Sequence, residues 1–301
     1  DEHRLNALVG ITAQSFVFES LGGGRRDVVG EDRSLWYLNA GGADGQTNFN
    51  ESNDWKMLSY LFRANYALQD RYLMTASLRV DGSSRFGPDN RYGYFPSFAL
   101  AWNLHEEPFM QDLGPLSELK LRGSWGQIGN DKIGEYASFA TVSGNLNAVF
   151  GPNEDLNFGA SPISLANPQI RWETTTQANI GADLSFLNGE VRASLDYYNR
   201  LTDGILVALT IPSYVGSASN PTVNAAEVRN QGFEASVNWL GSVGEVDFDL
   251  GANGATISNK VRELGEGREF FFTGSVAGMG QTQRTVVGQP IASFWGCKTD
   301  G

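Results

Sequence analysis

The chain has 301 residues, 36 of them glycine, with 12% aromatic and 19% charged residues and a mean hydropathy of −0.27. A formal net charge of −12 argues against a nucleic-acid partner, which needs a basic face to displace counterions from phosphate. The single cysteine, Cys297, excludes an internal disulfide, and no run reaches the roughly 18 apolar residues of a membrane-spanning helix; neither fact excludes a barrel, whose spanning strands keep half their residues in water.

The first strand pattern runs from His3 to about Phe18, with Leu5, Ala7, Val9, Ile11 and Ala13 alternating with Asn6, Thr12 and Gln14. A long Gly/Asn/Asp-rich connection, Leu21–Asp54, follows and carries Trp36 and Tyr37; a connection of that length is functional or mobile. The second strand sets Leu58, Tyr60, Phe62, Ala64 and Tyr66 opposite Ser59, Arg63 and Asn65. A short turn, Leu68-Gln69-Asp70-Arg71, returns it as a third strand in which Tyr72, Met74, Ala76, Leu78 and Val80 alternate with Thr75, Ser77, Arg79 and Asp81. After the polar connection Asp81–Arg91, a fourth strand places Phe98, Leu100, Trp102 and Leu104 away from Ser97 and Asn103. The link Glu106–Ser117 is expected to hold a helical turn after Pro108. The fifth strand sets Leu119, Leu121 and Trp125 against Lys120, Arg122 and Ser124.

The longest polar stretch, Gly129 to about Pro168, precedes the clearest signal in the chain. Between Arg171 and Leu201, Ala178, Ile180, Ala182, Leu184 and Phe186 alternate with Gln177, Asn179, Gly181, Asp183 and Ser185. On the returning arm Val191, Ala193, Leu195 and Tyr197 alternate with Arg192, Ser194, Asp196 and Tyr198. Asn188-Gly189 between them is the dipeptide that most readily supplies the two positive φ angles of a type I′ turn. Beyond a long loop, Thr202–Ala226, an eighth strand puts Phe233, Ala235, Val237 and Trp239 opposite Glu234, Ser236 and Asn238. The turn Gly241-Ser242-Val243-Gly244 leads to a ninth, with Phe248, Leu250 and Ala252 against Asp247, Asp249 and Asn253. Ser258–Gly301 reads as a loop-like tail.

Successive strand side chains point to opposite faces, so each arm has one apolar and one polar face. The alternation persists for about ten residues, the length of a tilted bilayer-crossing strand, whereas soluble strands average five or six. Long and short connections alternate, which in an up-and-down barrel sorts them onto two ends. Aromatics near strand ends, at Trp55, Tyr66, Tyr72, Trp102, Trp172, Tyr197, Tyr198 and Trp239, fit interfacial girdles. The expected fold is therefore all-β, a section of an antiparallel transmembrane barrel with about nine long strands. The rival reading is a water-soluble β-protein.

Several runs resemble one family. DGSSRFG (Asp81–Gly87), YGYFPSFALAWNLHEEPFM (Tyr92–Met110), LKLRGSWGQIGND (Leu119–Asp131) and NPQIRWETTTQANIGADLSFLNG (Asn167–Gly189) are similar to the SusC/RagA group of TonB-linked outer-membrane transporters. So are VRASLDYYNRLTDGIL (Val191–Leu206), VRNQGFEASVNW (Val228–Trp239) and VGQPIASFWGCKTDG (Val287–Gly301). The resemblance implies a 22-stranded barrel of which residues 1–301 are a partial outer-membrane domain, lacking the plug, the TonB box and the final strands. It implies location in the bacterial outer membrane, a SusD-like lipoprotein capping the barrel, energy supplied by TonB through a missing N-terminal part, and an oligosaccharide or peptide cargo. Cys297 stands where the family usually has an aromatic, read here as a neutral change. Both ends of the chain read as cut: no signal peptide precedes Asp1, and no terminal strand closes at Gly301.

No catalytic constellation is present in the sequence. His3 and His105 are the only histidines and sit at a chain end and a strand end. Cys297 has no neighbouring His to activate it, and no glycine run has the spacing of a phosphate loop. The acidic loop at Gly151–Asn157 could offer oxygen ligands to calcium but lacks the spacing of a dedicated site, so a solvated loop is the better reading. No cofactor or metal is expected. The informative residues are the two strand faces. Arg63, Asn65, Arg79, Asp81, Lys120, Arg122, Asp183, Arg192, Asp196, Glu234, Asp247 and Asp249 would line the lumen, where they grip a plug or hydrate a passage; on a half-exposed soluble sheet they would face solvent. Leu78, Ile180, Leu184, Leu195, Val237 and Leu250 would face lipid. The loop aromatics Trp36, Tyr37, Tyr136, Tyr214 and Trp295 could stack on sugars, contact a partner, or pack within their own loops. Besides a transporter, the same pattern admits a passive porin or structural barrel and a soluble glycan-binding β-protein.

Overall fold

The computed structural model describes residues 2–28, 30–110, 114–144, 146–208, 219–276 and 280–296. In chain order the strands begin with β1 (His3–Gly24), β2 (Thr47–Leu68), β3 (Tyr72–Ser83), β4 (Tyr92–Asn103) and β5 (Leu116–Asn130). Four short strands follow inside one connection: β6 (Val142–Ser143), β7 (Ala148–Phe150), β8 (Asp155–Asn157) and β9 (Ser161–Pro162). Then come β10 (Glu173–Phe186), β11 (Val191–Ala208), β12 (Thr222–Val243), β13 (Val246–Ala255), β14 (Ser258–Leu264), β15 (Phe270–Val276), β16 (Gly280–Val286) and β17 (Ser293–Phe294). The long strands pair antiparallel in the order β1-β2-β3-β4-β5-β10-β11-β12-β13, each with its sequence neighbour among the long strands. This is the up-and-down path the alternating connections predict.

The tight turns cluster at one end and carry the left-handed residues that such turns need. Gln69 and Asp70 sit at φ 52° and 53° while Arg71 N–H donates to the Leu68 carbonyl at 3.0 Å, closing the turn between β2 and β3. Asn188 and Gly189, at φ 53° and 97°, occupy the two central positions between Leu187 and Glu190 as expected. Leu187 is left-handed as well, at φ 53°, and its N–H donates to the Pro115 carbonyl of the neighbouring turn.

Register decides the faces, because residues directly opposite in an antiparallel pair share one. Phe62, Leu78 and Pro96 stand in one row; Gly123, Ile180, Tyr197 and Phe233 in another; Ala182, Leu195 and Ala235 in a third; Ala193, Val237 and Ala252 in a fourth. Leu184 lies opposite Leu119 and Ala193, and Leu250 opposite Trp239. Continuing by steps of two along each strand, all six residues expected to face lipid share one face, with Ile180 70% exposed on it. Arg63, Asn65, Arg79, Asp81, Lys120, Arg122, Asp183, Arg192, Asp196, Glu234, Asp247 and Asp249 all fall on the other.

Several boundaries depart from the sequence pattern. The connection expected at Leu21–Asp54 is shorter than expected: β1 and β2 stay paired to Gly24↔Thr47, leaving residues 25–46 between them. The loop expected at Thr202–Ala226 shrinks likewise, because β11 runs to Ala208 and β12 begins at Thr222. In both cases the apolar alternation stops while the backbone ladder, which is indifferent to side-chain polarity, continues. The turn after β12 is Gly244-Glu245, with Gly244 at φ 66°, three residues beyond the expected start. The ninth strand does not end at Ala255. The pairs Glu234↔Ala255 and Gln231↔Ser258 keep the same register across Thr256 and Ile257, so β13 and β14 are one interrupted strand along β12. The rest of the supposed loop-like tail holds the small sheet β15-β16-β17.

The girdle reading also needs correction. Tyr66, Tyr72, Trp102 and Trp239 lie on the apolar face beside the short turns, with Tyr72 stacked on Trp102 at 6.0 Å. Trp55 and Tyr198 fall on the polar face, and Trp172 is buried beside Phe86 and Phe95. Proximity to a strand end is insensitive to the odd-or-even position that sets the face.

Candidate functional site

The polar face concentrates its charge in two knots. In the first, the Arg122 guanidinium on β5 donates from Nε and Nη2 to Asp183 on β10, both at 2.9 Å, and from Nη1 and Nη2 to Asp196 on β11, both at 2.8 Å. Ser194 Oγ accepts from Arg122 at 3.0 Å and lies 3.2 Å from each carboxylate. The register explains how one arginine reaches across three strands: Gly181 stands between Arg122 and Asp196 in the same row. A Cβ there would meet the Asp196 carboxylate and lie 3.0 Å from the Arg122 guanidinium carbon. Lys120 is opposite Asp183 and completes a balanced group of two cations and two anions.

The second knot sits toward the long loops. Arg79 Nε donates to both Asp81 oxygens at 2.8 and 2.7 Å, and Nη2 to Ser59 Oγ at 3.1 Å. Between the knots the wall is mostly amides and hydroxyls. Thr75 Oγ1 donates to Asn65 at 2.9 Å, Ser77 and Ser97 hydroxyls lie 2.6 Å apart, and Gln177 donates to Asn179, which donates to Ser124. Arg63 and Arg200 reach this belt at Asn65 and Gln177. A concavity of about 790 Å³ opens over it, lined by Thr75, Ser97, Ser124, Gln177 and Asn179 among others. Such a wall offers hydrogen-bond donors and acceptors suited to hydrated surfaces and polar groups. Arg192, Glu234, Asp247 and Asp249 lie on the same face nearer the β13 edge and join neither knot.

At the short-turn end, Glu107 is 7% exposed. It accepts from Tyr72 Oη at 2.6 Å and Trp102 Nε1 at 3.1 Å, with Arg71 at 3.6 Å. Those hydrogen bonds, the tyrosine's foremost, hold its carboxyl below the usual range against the desolvation that raises it.

The long-loop end contains what the sequence pattern did not show. Phe86, read as part of a polar connection, is 1% exposed and packs with Phe95, Ile133, Ile170 and Trp172 in a small core. Glycines and serines around Phe86 hide it from any periodicity. The loop aromatics are dispersed instead of forming one site. Trp36 Nε1 donates to the Gly30 carbonyl at 3.4 Å, Tyr37 is exposed, Tyr136 Oη bonds Asp54 at 3.2 Å, and Trp295 stacks edge-on to Phe272 at 5.5 Å. Tyr214 and Cys297 lie outside the described residues.

A meander of long strands with one apolar face and one face of balanced ion pairs and amides is the wall of a transmembrane β-barrel. Residues 5–290 match the family model described as TonB dependent receptor-like, beta-barrel, and the chain belongs to that family, whose members are receptors and transporters of the outer membrane. It is 31% identical over 303 residues to TonB-dependent receptor P3 of Formosa agariphila, covering 99% of this chain and 30% of the relative. Over 211 residues it is 38% identical to TonB-dependent receptor SusC of Bacteroides thetaiotaomicron, covering 69% of this chain and 21% of SusC. The solved RagAB peptide importer in its closed-closed state superposes with a TM-score of 0.82 at 24% identity, over 98% of this chain and 31% of that one, a likeness of fold. The resemblance to the SusC/RagA group holds, and the chain spans under a third of the length of these relatives.

Proposed function

We propose that this chain is the wall of an outer-membrane importer for an oligosaccharide or a peptide, a partial barrel domain of a longer protein. The importer works with a SusD-like lipoprotein at the long-loop end and draws energy from TonB through parts outside these residues. In this reading Leu78, Ile180, Leu184, Leu195, Val237 and Leu250 contact lipid. The charged and amide residues of the opposite face line the lumen. The observation that carries the reading is the strict partition of the two residue sets across seven registered strands, joined to the SusC likeness. A soluble glycan-binding sheet gives no reason for an unbroken exposed apolar face. The short turns then lie in the periplasm and the long loops outside the cell, with Glu107 anchoring a turn beneath the aromatic girdle.

The segment between β5 and β10 is the part of the long-loop end best placed to meet the lipoprotein. Its outer hairpin, β7 with β8, carries Phe150, Leu156 and Phe158 exposed. Deleting Asn145–Asn157 from the complete transporter should leave barrel assembly intact, judged by heat-modifiable mobility, while lowering lipoprotein co-purification or uptake. An intact complex with normal uptake would make that hairpin a spacer.

A further inference from the structure

The run Asp81–Gly87 touches three separate parts of the molecule, and each contact is specific. It is bound to β2: Ser84 N–H donates to the Lys56 carbonyl at 2.9 Å, Ser84 Oγ accepts from Lys56 N–H at 2.9 Å, and the Arg85 guanidinium lies 4.8 Å over the Trp55 ring. It holds the first foot of the β5–β10 segment, residues 131–138. Ser83, itself fully buried, donates to Asp131 at 2.8 Å, and Arg85 pairs with Glu135 at 3.1 Å and with Asp131 at 3.6 Å. It also holds the second foot, residues 167–172. Phe86 meets Trp172 at 5.0 Å and shares the small core with Ile170, which is fully buried, and a Cβ on Gly87 would stand 3.4 Å from the Pro168 carbonyl. The flank of the run adds Asn90 Nδ2 donating to the Gln169 carbonyl at 3.3 Å and the Arg91 carbonyl accepting from Trp172 Nε1 at 3.2 Å.

We propose that Asp81–Gly87 is a positioning element: it clamps both feet of the segment to the barrel wall, so that the arm between them, residues 139–166, is presented at one fixed place on the rim. Arg85 and Phe86 are its positioning residues. The residue types follow from the task. Phe86 supplies an apolar plug into which both feet pack, and burial excludes water from the ion pairs beside it. Arg85 supplies a planar cation that can stack on Trp55 and pair with carboxylates at once, which lysine cannot do in the same geometry. By contrast, among the described residues, the arm's polar ties to the rest of the molecule, such as Ser219 N–H to the Ile163 carbonyl at 2.7 Å, are few beside those of the feet. Its placement therefore depends on the feet.

The test uses the complete transporter in lipid and needs neither substrate nor partner, so it stands apart from the proposal about lipoprotein binding. Spin labels at Asn147 on the arm and Ser52 on β2, in a Cys297→Ser background, report the arm's position by their distance distribution. Amide hydrogen exchange reports the feet. Phe86→Ala and Arg85→Met should broaden the distribution severalfold and speed exchange at 131–138 and 167–172 at least tenfold, with β3, β4 and β10 unchanged. Phe86→Leu should restore most of both, and Arg85→Lys less. An unchanged distance distribution in Phe86→Ala would overturn the proposal. So would exchange that accelerates equally through β3, β4 and β10, since that marks a general loss of barrel stability.

Discussion

Replacing Leu195 by arginine tests the lipid-facing assignment at the depth where it should matter most. Leu195 is opposite Ala182 and Ala235 on the apolar face, 52% exposed, and four residues along β11 from Val191, which stands opposite the girdle residue Trp239. At about 3.3 Å per residue that is roughly 13 Å along the strand, or about 10 Å of height at a tilt of about 40°, toward the middle of an apolar band about 25 Å tall. An arginine near the midplane costs about 2–4 kcal/mol, which is about a 30-fold to a thousandfold shift in the folding equilibrium. Ser194 is unsuitable as the polar-face control, because its hydroxyl belongs to the Arg122 knot. Ser236, exposed and opposite Ser194, serves instead. Urea titration of the full-length protein in lipid vesicles, followed by tryptophan fluorescence, should show Leu195→Arg destabilised by that amount and Ser236→Arg within about 1 kcal/mol of the parent. Equal shifts for the two variants would refute the assignment of faces.

Gly181→Ala should loosen the Arg122 knot, because the new methyl meets the Asp196 carboxylate; a loss of about 1–3 kcal/mol is expected in the same titration. Gly123→Ala, whose nearest neighbour would be the Asn179 carbonyl at 3.9 Å, should cost less than half as much. Glu107 has a lowered carboxyl pKa in the folded state, so its contribution is complete above the ordinary glutamate range near pH 4.3 and is lost as pH falls through the lowered value. Proteolysis at the β4–β5 turn should therefore rise only at acid pH in the parent, and Glu107→Gln should show the raised rate already at neutral pH.

The strands of the barrel wall were legible because one apolar and one polar face impose a period of two, which residues 177–186 of β10 and 191–197 of β11 obey. The faces of Leu78 and Arg79, or of Asp183 and Leu184, follow from parity alone. Strand ends were not legible where the strand leaves the apolar band. Between Leu21 and Gly24, and between Thr222 and Phe233, the ladder persists with side chains that no longer alternate. The charged knots were visible only as a list of residues. That Arg122 bridges Asp183 and Asp196, and that Gly181 makes room for it, depends on register across three strands, which short-range patterns do not encode. Phe86 was hidden for a different reason: its burial comes from Ile133, Ile170 and Trp172, residues far along the chain, and its own neighbours have the composition of a turn.

The central claim, that one face of this sheet meets lipid and the other an aqueous lumen, is tested most directly by quenching. A fluorophore is placed singly at Leu78, Ile180, Leu195, Val237 and Leu250, and singly at Ser77, Asn179, Ser236 and Asp249, in the full-length protein in vesicles. Lipids brominated along the acyl chain should quench the first set and leave the second largely unaffected, while iodide in the aqueous phase does the reverse. Quenching by both agents without regard to face, or strong brominated-lipid quenching at Asn179 and Asp249, would contradict the account.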